Sequence, residues 1–119
     1  MTNEFVFVGD AATVEGAIAA LKNFEGPLES IHVIYLVNPE AVLTGAVPLA
    51  RILLAESTTL LKQLSAEPLI SVPSHTDQKE VVDLFHKYNL VTLPVVDEKR
   101  HLLGVVTADD VLALVVNRQ

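Results

Sequence analysis

The stretch that decides the fold is Gly104-Val105-Val106-Thr107-Ala108-Asp109-Asp110-Val111, where an apolar strand with a glycine runs directly into an acidic helix start. It closes a unit that opens with Ile70-Ser71-Val72-Pro73 and continues through a helix at 77–88, a hydrophobic strand and a polar turn. The same order of segments begins earlier in the chain, at Val6-Phe7-Val8-Gly9. This self-similarity predicts an internal duplication of the order β-α-β-β-α, and therefore an α/β fold.

The register of the two halves follows from two anchors. Val8 aligns with Val72 at the first strand, and Gly45 aligns with Gly104 at the third. The spacing of the second pair is slightly shorter, and the difference falls at residues 22–29, where Glu25-Gly26-Pro27 is a turn signal, so the extra residues are expected in a surface loop. We expect a first repeat at residues 1–56, a linker at 57–68 and a second repeat at 69–119.

Composition excludes several classes of function. Half of the 119 residues are apolar, which is ample material for a core. The chain has no cysteine, so disulfides, thiolate metal sites and thiol catalysis are excluded. The net charge of −7 disfavours binding to nucleic acid and is compatible with a divalent cation.

The hydropathy pattern bears on the membrane. No apolar window approaches the roughly 20 residues that a transmembrane helix needs, because the longest runs are short or interrupted. The first residues also lack the basic start and apolar core of a signal peptide. We expect a cytoplasmic chain that does not itself insert into a membrane, although it can be the cytosolic domain of an inner-membrane protein.

Two local features carry further expectations. Pro94 lies within an apolar strand, which is typical of an edge strand or of an irregular strand start because proline has no N–H to donate. The last helix is apolar on more than one side, which predicts burial against another chain in a homodimer. The residues that make it so are Val111, Leu112, Leu114 and Val115.

The chain resembles a tandem pair of CBS domains, which are regulatory modules attached to transporters, channels and metabolic enzymes. The resemblance is carried by Leu93-Pro94-Val95-Val96-Asp97 and by Leu103-Gly104-Val105-Val106-Thr107-Ala108-Asp109-Asp110-Val111. It implies two repeats related by a pseudo-twofold axis, with their sheets packed face to face, two clefts and a flat homodimer.

Within that family the chain is similar to the cytosolic pair of MgtE-type magnesium transporters or of related divalent-cation transporters, with Asp77-Gln78-Lys79-Glu80-Val81-Val82 close to a phrase of that subgroup. The resemblance implies a non-enzymatic gating or sensing module that responds to Mg²⁺ or an adenine nucleotide and is attached to a membrane transporter domain. The alternative is a free-standing adenine nucleotide sensor that regulates another protein.

Thr107 and Asp110 are the main candidate binding residues. Their spacing places both on the first turn of a helix, where free N–H groups and the helix dipole favour an anion. The carboxylate can accept ribose hydroxyls and the hydroxyl can help to hold a sugar or phosphate. The alternative is purely structural, with Thr107 as the N-cap and Asp110 as the acidic residue of its capping box.

The resemblance adds expectations about the ligand and the other repeat. AMP, ADP or ATP is expected to be gripped at its adenine by Val6, Ile31 and His32, and no cofactor is required. The first repeat has Pro48 and Arg51 where the second has Thr107 and Asp110, so its own cleft should be compromised, although Arg51 could meet a phosphate.

Metal binding is the weakest of the site expectations. Asp97 and Asp109 each belong to an acidic pair that could take Mg²⁺ through water, but hairpin turns and helix starts favour acidic residues in any case. The four histidines lie on different predicted elements and show no metal-ligand spacing.

Overall fold

The computed structural model describes residues 1–116 of the chain, with side chains described through residue 113. The chain divides into two compact units. The first unit comprises Glu4–Leu69, and the second comprises the residues from Ile70 onward together with Met1–Asn3. Each unit holds one three-stranded sheet with helices packed against it.

The first unit follows the predicted order. Its strands are β1 (Val6–Gly9), β2 (Val33–Val37) and β3 (Leu43–Pro48), and its helices are α1 (Val14–Lys22) and α2 (Leu49–Leu54), with 3-10 turns at Leu28–Ser30 and Leu61–Leu64. β2 is central, parallel to β1 and antiparallel to β3. The buried core comprises Val6, Val14, Ala17, Ile31, Ile34, Leu36, Val47, Ile52 and Leu61.

The second unit repeats this plan. Its strands are β4 (Val72–Pro73), β5 (Thr92–Val96) and β6 (Leu102–Thr107), and its helices are α3 (Gln78–Tyr88) and α4 (Ala108–Val116). β5 is central, parallel to β4 and antiparallel to β6. Its buried core is formed by Val72, Val81, Phe85, Leu93 and Val95.

The strand register confirms the predicted duplication. Val33 pairs with Pro48 in the first unit, and Thr92 pairs with Thr107 in the second, which is the same pair moved by the spacing that relates Gly45 to Gly104. Each hairpin has a register shift at the equivalent place, after Leu36 and after Val95. The helix starts at 14 and 78 preserve the other predicted spacing, the one between the first strands of the two repeats.

The two hairpin turns are also built alike. Asn38 Oδ1 accepts hydrogen bonds from the backbone N–H groups of Glu40 and Val42, at 2.9 and 3.0 Å. Asp97 Oδ1 accepts from the backbone N–H groups of residues 99 and 101, at 2.9 and 2.8 Å. In both turns a non-glycine residue takes a left-handed backbone, with φ of 65° at Ala41 and 67° at Arg100. The side chain at the start of the turn compensates the local cost of this conformation.

One edge strand of each sheet, β3 in the first unit and β6 in the second, is covered by another segment of the chain. The segment that covers β3 comes just before β4, and the segment that covers β6 comes just before β1. Thr2 and Val105 exchange backbone hydrogen bonds of 2.7 and 3.0 Å along β6. In the first unit, Ala66 N–H donates to the carbonyl of Ala46 on β3 at 2.8 Å. These contacts satisfy backbone groups that an open edge would leave free.

One strand expectation is wrong. Pro94 lies in β5, the central strand, and not at an edge or a strand start. Its partner in the register is Val105, whose backbone groups bond to Thr2, away from β5. Pro94 therefore presents its missing N–H toward the β4 side, and β4 is too short to reach it because its pairing begins at Val95. The central strand tolerates the proline for this reason.

Two further expectations concern the last helix and the membrane. α4 forms as predicted, and Leu112 is 61% exposed, whereas Val111 packs against the core of the second unit. Leu114 and Val115 lie outside the residues whose side chains are described.

Over the described part of the chain, no helix has the length and apolar character needed to cross a membrane.

Candidate functional site

The candidate site is an open cleft of about 420 Å³ in the second unit. It lies between the ends of the strands and the first turns of α3 and α4, and its volume is within the range that holds small organic ligands. Apolar side chains form part of the lining and polar groups converge on it. The lining residues are Met1, Val72, Pro73, Ser74, Thr76, Gln78, Val81, Val95, Val106 and Asp110.

Thr107 and Asp110 form a reciprocal pair at the start of α4. The backbone N–H of Asp110 donates to Thr107 Oγ1 at 3.2 Å, and the backbone N–H of Thr107 donates to Asp110 Oδ2 at 3.1 Å. This is the capping box that the structural alternative predicts. The amino group of Met1 also lies 3.8 Å from Asp110 Oδ2.

The capping bonds do not consume the whole carboxylate. The side chain of Asp110 is 43% exposed and lines the cleft. A carboxylate has about four lone-pair sites, so it can accept one backbone N–H and still accept hydroxyl groups from a ligand. The capping role and the binding role are therefore compatible, and the capping bonds fix the orientation in which the carboxylate meets the cleft.

Sequence reasoning missed three polar residues of this cleft, Ser74, Thr76 and Gln78. Thr76 Oγ1 donates to the carbonyl of Pro73 at 2.7 Å, which fixes the turn between β4 and α3. Asp77 then caps α3 by accepting from the backbone N–H of Lys79 at 3.2 Å. The alignment of the repeats held the signal, since Thr76 and Gln78 align with the apolar residues Ala12 and Val14.

The residues expected at the adenine belong to the first unit, whereas Thr107 and Asp110 belong to the second. Val6 and Ile31 are 5% and 4% exposed, and both are part of the first unit's core. His32 is exposed, and its backbone carbonyl accepts from the N–H of Leu49 at the start of α2. Contact of these residues with an adenine stays a prediction.

The two carboxylates expected at a metal have different surroundings. Asp97 is occupied by its own turn, because Oδ1 accepts two backbone N–H groups and Oδ2 lies 3.1 Å from Nδ1 of His101. Asp109 is exposed in the first turn of α4. Over the described residues, no three His, Cys, Asp or Glu side chains gather as a metal site would require.

The pKa of Asp97 is lowered below its usual range. The largest cause is the hydrogen bond from the backbone N–H of His101, which stabilises the ionised carboxylate. Partial desolvation opposes it, and the backbone N–H of Lys99 and the charge and ring N–H of His101 lower the pKa further. These contacts make Asp97 a component of the turn, and its assignment as an Mg²⁺ ligand stays a prediction.

Arg51 stands where the second unit has Asp110, and it is engaged within its own unit. Its Nη1 donates to the backbone carbonyls of Leu64 and Ser65, at 3.0 and 3.3 Å. Ser65 in turn bonds to β3, with its Oγ 3.1 Å from the N–H of Ala46. The guanidinium therefore holds the segment that follows α2, and its contact with a phosphate stays a prediction.

Known proteins are similar to this chain in sequence. A family model of the CBS domain matches residues 61–117. The magnesium transporter MgtE of Bacillus subtilis is 34% identical over 116 residues, which is 98% of this chain and 26% of that protein. MgtE of Thermus thermophilus is 37% identical over 112 residues, 94% of this chain and 25% of that protein. The chain thus spans about a quarter of the length of these curated relatives.

Solved structures agree with the sequence comparison. A crystal structure of the soluble part of a magnesium transporter superposes with a TM-score of 0.91 at 34% identity, covering 99% of this chain and 46% of that one. The cytosolic domain of the Mg²⁺ channel MgtE in complex with ATP gives a TM-score of 0.89 at 36% identity, covering 96% and 46%.

Proposed function

Because this chain belongs to the CBS-domain family, as a tandem pair of repeats, we propose that it is a regulatory module whose second repeat binds an adenine nucleotide. In this proposal the first unit, Glu4–Leu69, contains the first repeat together with the linker at residues 57–68, and the second unit contains the second repeat. Binding changes the relative populations of two arrangements of the module and so transmits a signal to an attached domain.

The observation that carries the proposal is the cleft at the start of α4, together with the 36% identical MgtE domain that was solved with ATP. In this proposal Asp110 accepts hydrogen bonds from the ribose hydroxyls and Thr107 contributes to holding the sugar or phosphate. AMP, ADP and ATP share these groups, so all three are candidate ligands. The adenine is assigned to Val6, Ile31 and His32.

The attached domain is proposed to be the membrane part of a magnesium or other divalent-cation transporter, because the curated relatives are magnesium transporters about four times the length of this chain. The module then lies on the cytosolic side and carries out no chemistry itself. The net charge of the chain is −7, so its carboxylates repel one another. In this proposal Mg²⁺ takes part in the regulation directly, because a bound cation reduces that repulsion and favours a closed arrangement of the module. Asp97 and Asp109 are the proposed contacts of that cation.

The module is further proposed to act as a homodimer. Leu112 on α4 is 61% exposed, and its equivalent on α2, Leu53, is 75% exposed. Apolar surface of this kind at equivalent positions of both units is typical of an interface. Sedimentation at high micromolar concentration, with and without Mg²⁺, tests this, and a monomer under both conditions contradicts it.

Calorimetric titration of the purified chain with ATP, AMP and Mg²⁺ tests the nucleotide proposal. Asp110→Ala removes charge-assisted hydrogen bonds to the ribose, so we expect nucleotide affinity to fall by about tenfold or more. Arg51→Ala is the matched comparison at the equivalent position of the first repeat, and we expect it to lower the affinity less, because it removes no acceptor for the ribose.

Melting curves of the same two variants separate binding from capping. If Asp110 serves only in the capping box, Asp110→Ala lowers the free energy of unfolding by about 0.5–2 kcal/mol, and with it the melting temperature, and leaves nucleotide affinity unchanged. That result would show a purely structural role. A wild-type chain that binds no adenine nucleotide at millimolar concentration would refute the proposal outright.

A further inference from the structure

We infer that the segment at residues 57–65 is a built-in occupant of the first unit's cleft, so that the first repeat takes no external ligand while this segment is seated. The inference rests on contacts within the first unit alone and does not depend on nucleotide binding by the second. It assigns to the linker the place that a ligand would take, and to Arg51 the role of holding it there.

The duplication shows where the first unit's cleft lies. Six residues that line the open cleft of the second unit have equivalents in the first unit at the spacings set by the aligned strands and hairpins. All six equivalents pack in one apolar cluster with the side chains of Leu61 and Leu64. The equivalents are Val8, Ala12, Val14, Ala17, Leu36 and Val47.

The side chains have changed to suit an apolar occupant. The second unit's cleft carries Thr76 and Gln78, and the first unit has Ala12 and Val14 at those positions. Leu61 is fully buried, with 0% of its surface exposed. A leucine in this place removes apolar surface from water and leaves no room for a ligand, because protein interiors are packed without voids of that size.

The backbone contacts of the segment resemble those of a bound peptide. Thr59 and Ser57 accept hydrogen bonds from the N–H groups of Val14 and Glu15 at 2.9 and 3.1 Å, and the N–H of Leu61 donates to Ala12 at 3.0 Å. The segment thus supplies acceptors to the first turn of α1. Within the described structure the N-cap residue Thr13 makes no side-chain capping bond, whereas Asp77 caps α3 in the second unit.

Arg51 fixes the far end of the segment. Its guanidinium bonds to the carbonyls of Leu64 and Ser65, and Ser65 Oγ bonds to both backbone groups of Ala46. Arg51 is a positioning residue in this arrangement, since it acts through the linker and not on a ligand. Arg51 stands where the second unit has an aspartate. This single difference removes a group that could bind a ligand and supplies the hydrogen bonds that hold the segment, which we call the latch.

The chain's lack of cysteine allows a direct test with single thiols. Val47→Cys and Val106→Cys place a thiol at equivalent positions of the two clefts, and cysteine is a small apolar residue that suits both sites. In an alkylation assay with iodoacetamide, we expect Val106→Cys to react at least about tenfold faster, because Val47→Cys reacts only when the segment opens. Equal rates would overturn the inference.

Two further measurements support the comparison. Adding Arg51→Ala should raise the rate at Val47→Cys several-fold and leave Val106→Cys unchanged, and a Val47→Cys rate unaffected by the loss of Arg51 would refute the latch. If the Val47→Cys chain fails to fold, hydrogen exchange in the unmodified chain decides. Slow exchange at the amides of Val14 and Leu61 supports a seated segment, and exchange at the rate of an open loop overturns it.

A graft connects the inference to nucleotide binding. Pro48→Thr with Arg51 retained gives the first repeat the second repeat's hydroxyl while the segment stays held, and we expect calorimetry with ATP to show no additional site. A second ATP per chain would overturn the inference. A wild-type chain that binds no ATP would refute the proposed function instead, and the thiol comparison would still decide whether the segment fills the first cleft.

Discussion

The two units share one backbone plan and differ in what fills the cleft. The register of the hairpins, the position of their irregularity and the left-handed turn residue recur in both. In the first unit Leu61 completes the core, whereas the second unit leaves a cleft of about 420 Å³ at the equivalent place. The comparison shows that backbone hydrogen bonds can be kept through duplication while a few side chains change the use of a site.

The largest expected effect tests how much the first unit depends on its linker. Leu61→Ala removes a fully buried side chain from the core of that unit, so we expect the free energy of unfolding to fall by about 2–5 kcal/mol. Leu28→Ala, at a position of the same unit that is 53% exposed, is the control and should change it by about 0.5 kcal/mol or less. Urea unfolding measures both, and a similar small loss for the two variants would remove the distinction between the units.

A second experiment compares how the two sheet edges are covered. A Cβ on Gly104 would lie 2.9 Å from the backbone oxygen of Thr2, whereas a Cβ on Gly45 would meet side-chain atoms of Ser65 and Leu36 at 2.9 and 3.0 Å. Side-chain ends move more cheaply than backbone, so Gly104→Ala should cost about 1–3 kcal/mol and Gly45→Ala less.

Hydrogen exchange at the amides of Thr2 and Val105 checks the cause. We expect Gly104→Ala to accelerate exchange at both, because the added methyl displaces the covering segment from β6. If Gly45→Ala costs more stability than Gly104→Ala, the contrast between a backbone contact at one edge and side-chain contacts at the other does not explain the costs.

The smallest expected effect separates the two hairpin turns by pH. Asp97 has a pKa lowered by the backbone N–H groups and His101, so its contribution to stability is fully present above the unfolded-state value of 3.8 and is lost as the pH falls through the folded-state value. Asn38 carries no such charge. Wild type should therefore exceed Asp97→Asn in stability near about pH 6, and the gap should narrow as the pH falls below 3.8.

The reciprocal variant is the control for this turn. Asn38→Asp should introduce the same kind of pH-dependent contribution into the first unit. Urea unfolding across that pH range measures both variants, and a gap between wild type and Asp97→Asn that does not change with pH would contradict the electrostatic account.

Much of the fold could be predicted from the sequence because the duplication supplies its own check. The strand at residues 102–107, its glycine and the acidic helix start all appear where the pattern places them. The predicted capping box of Thr107 and Asp110 is formed. Local patterns of this kind are reliable because the interactions that produce them lie within a few residues.

The remaining features depend on distant contacts. The position of Pro94 in a central strand follows from the shortness of β4, which its own sequence does not reveal. The apolar turn at Leu61–Leu64 lies within the expected linker, and its burial in the first cleft depends on Ala12 and Val14, which lie far earlier in the chain. The polar lining of the second cleft was missed because residues such as Gln78 are ordinary at the start of a helix.

The crossed covering of the sheet edges means that the boundaries of the units do not coincide with any single cut in the polypeptide. A fragment beginning at Ile70 would keep β4, β5 and β6 but would lose residues 1–3, and β6 would present an unpaired backbone at Val105. Exposed edges of that kind recruit strands from other molecules. A second-unit fragment therefore keeps β6 covered and stays monodisperse only when residues 1–3 are joined to it, for instance by circular permutation.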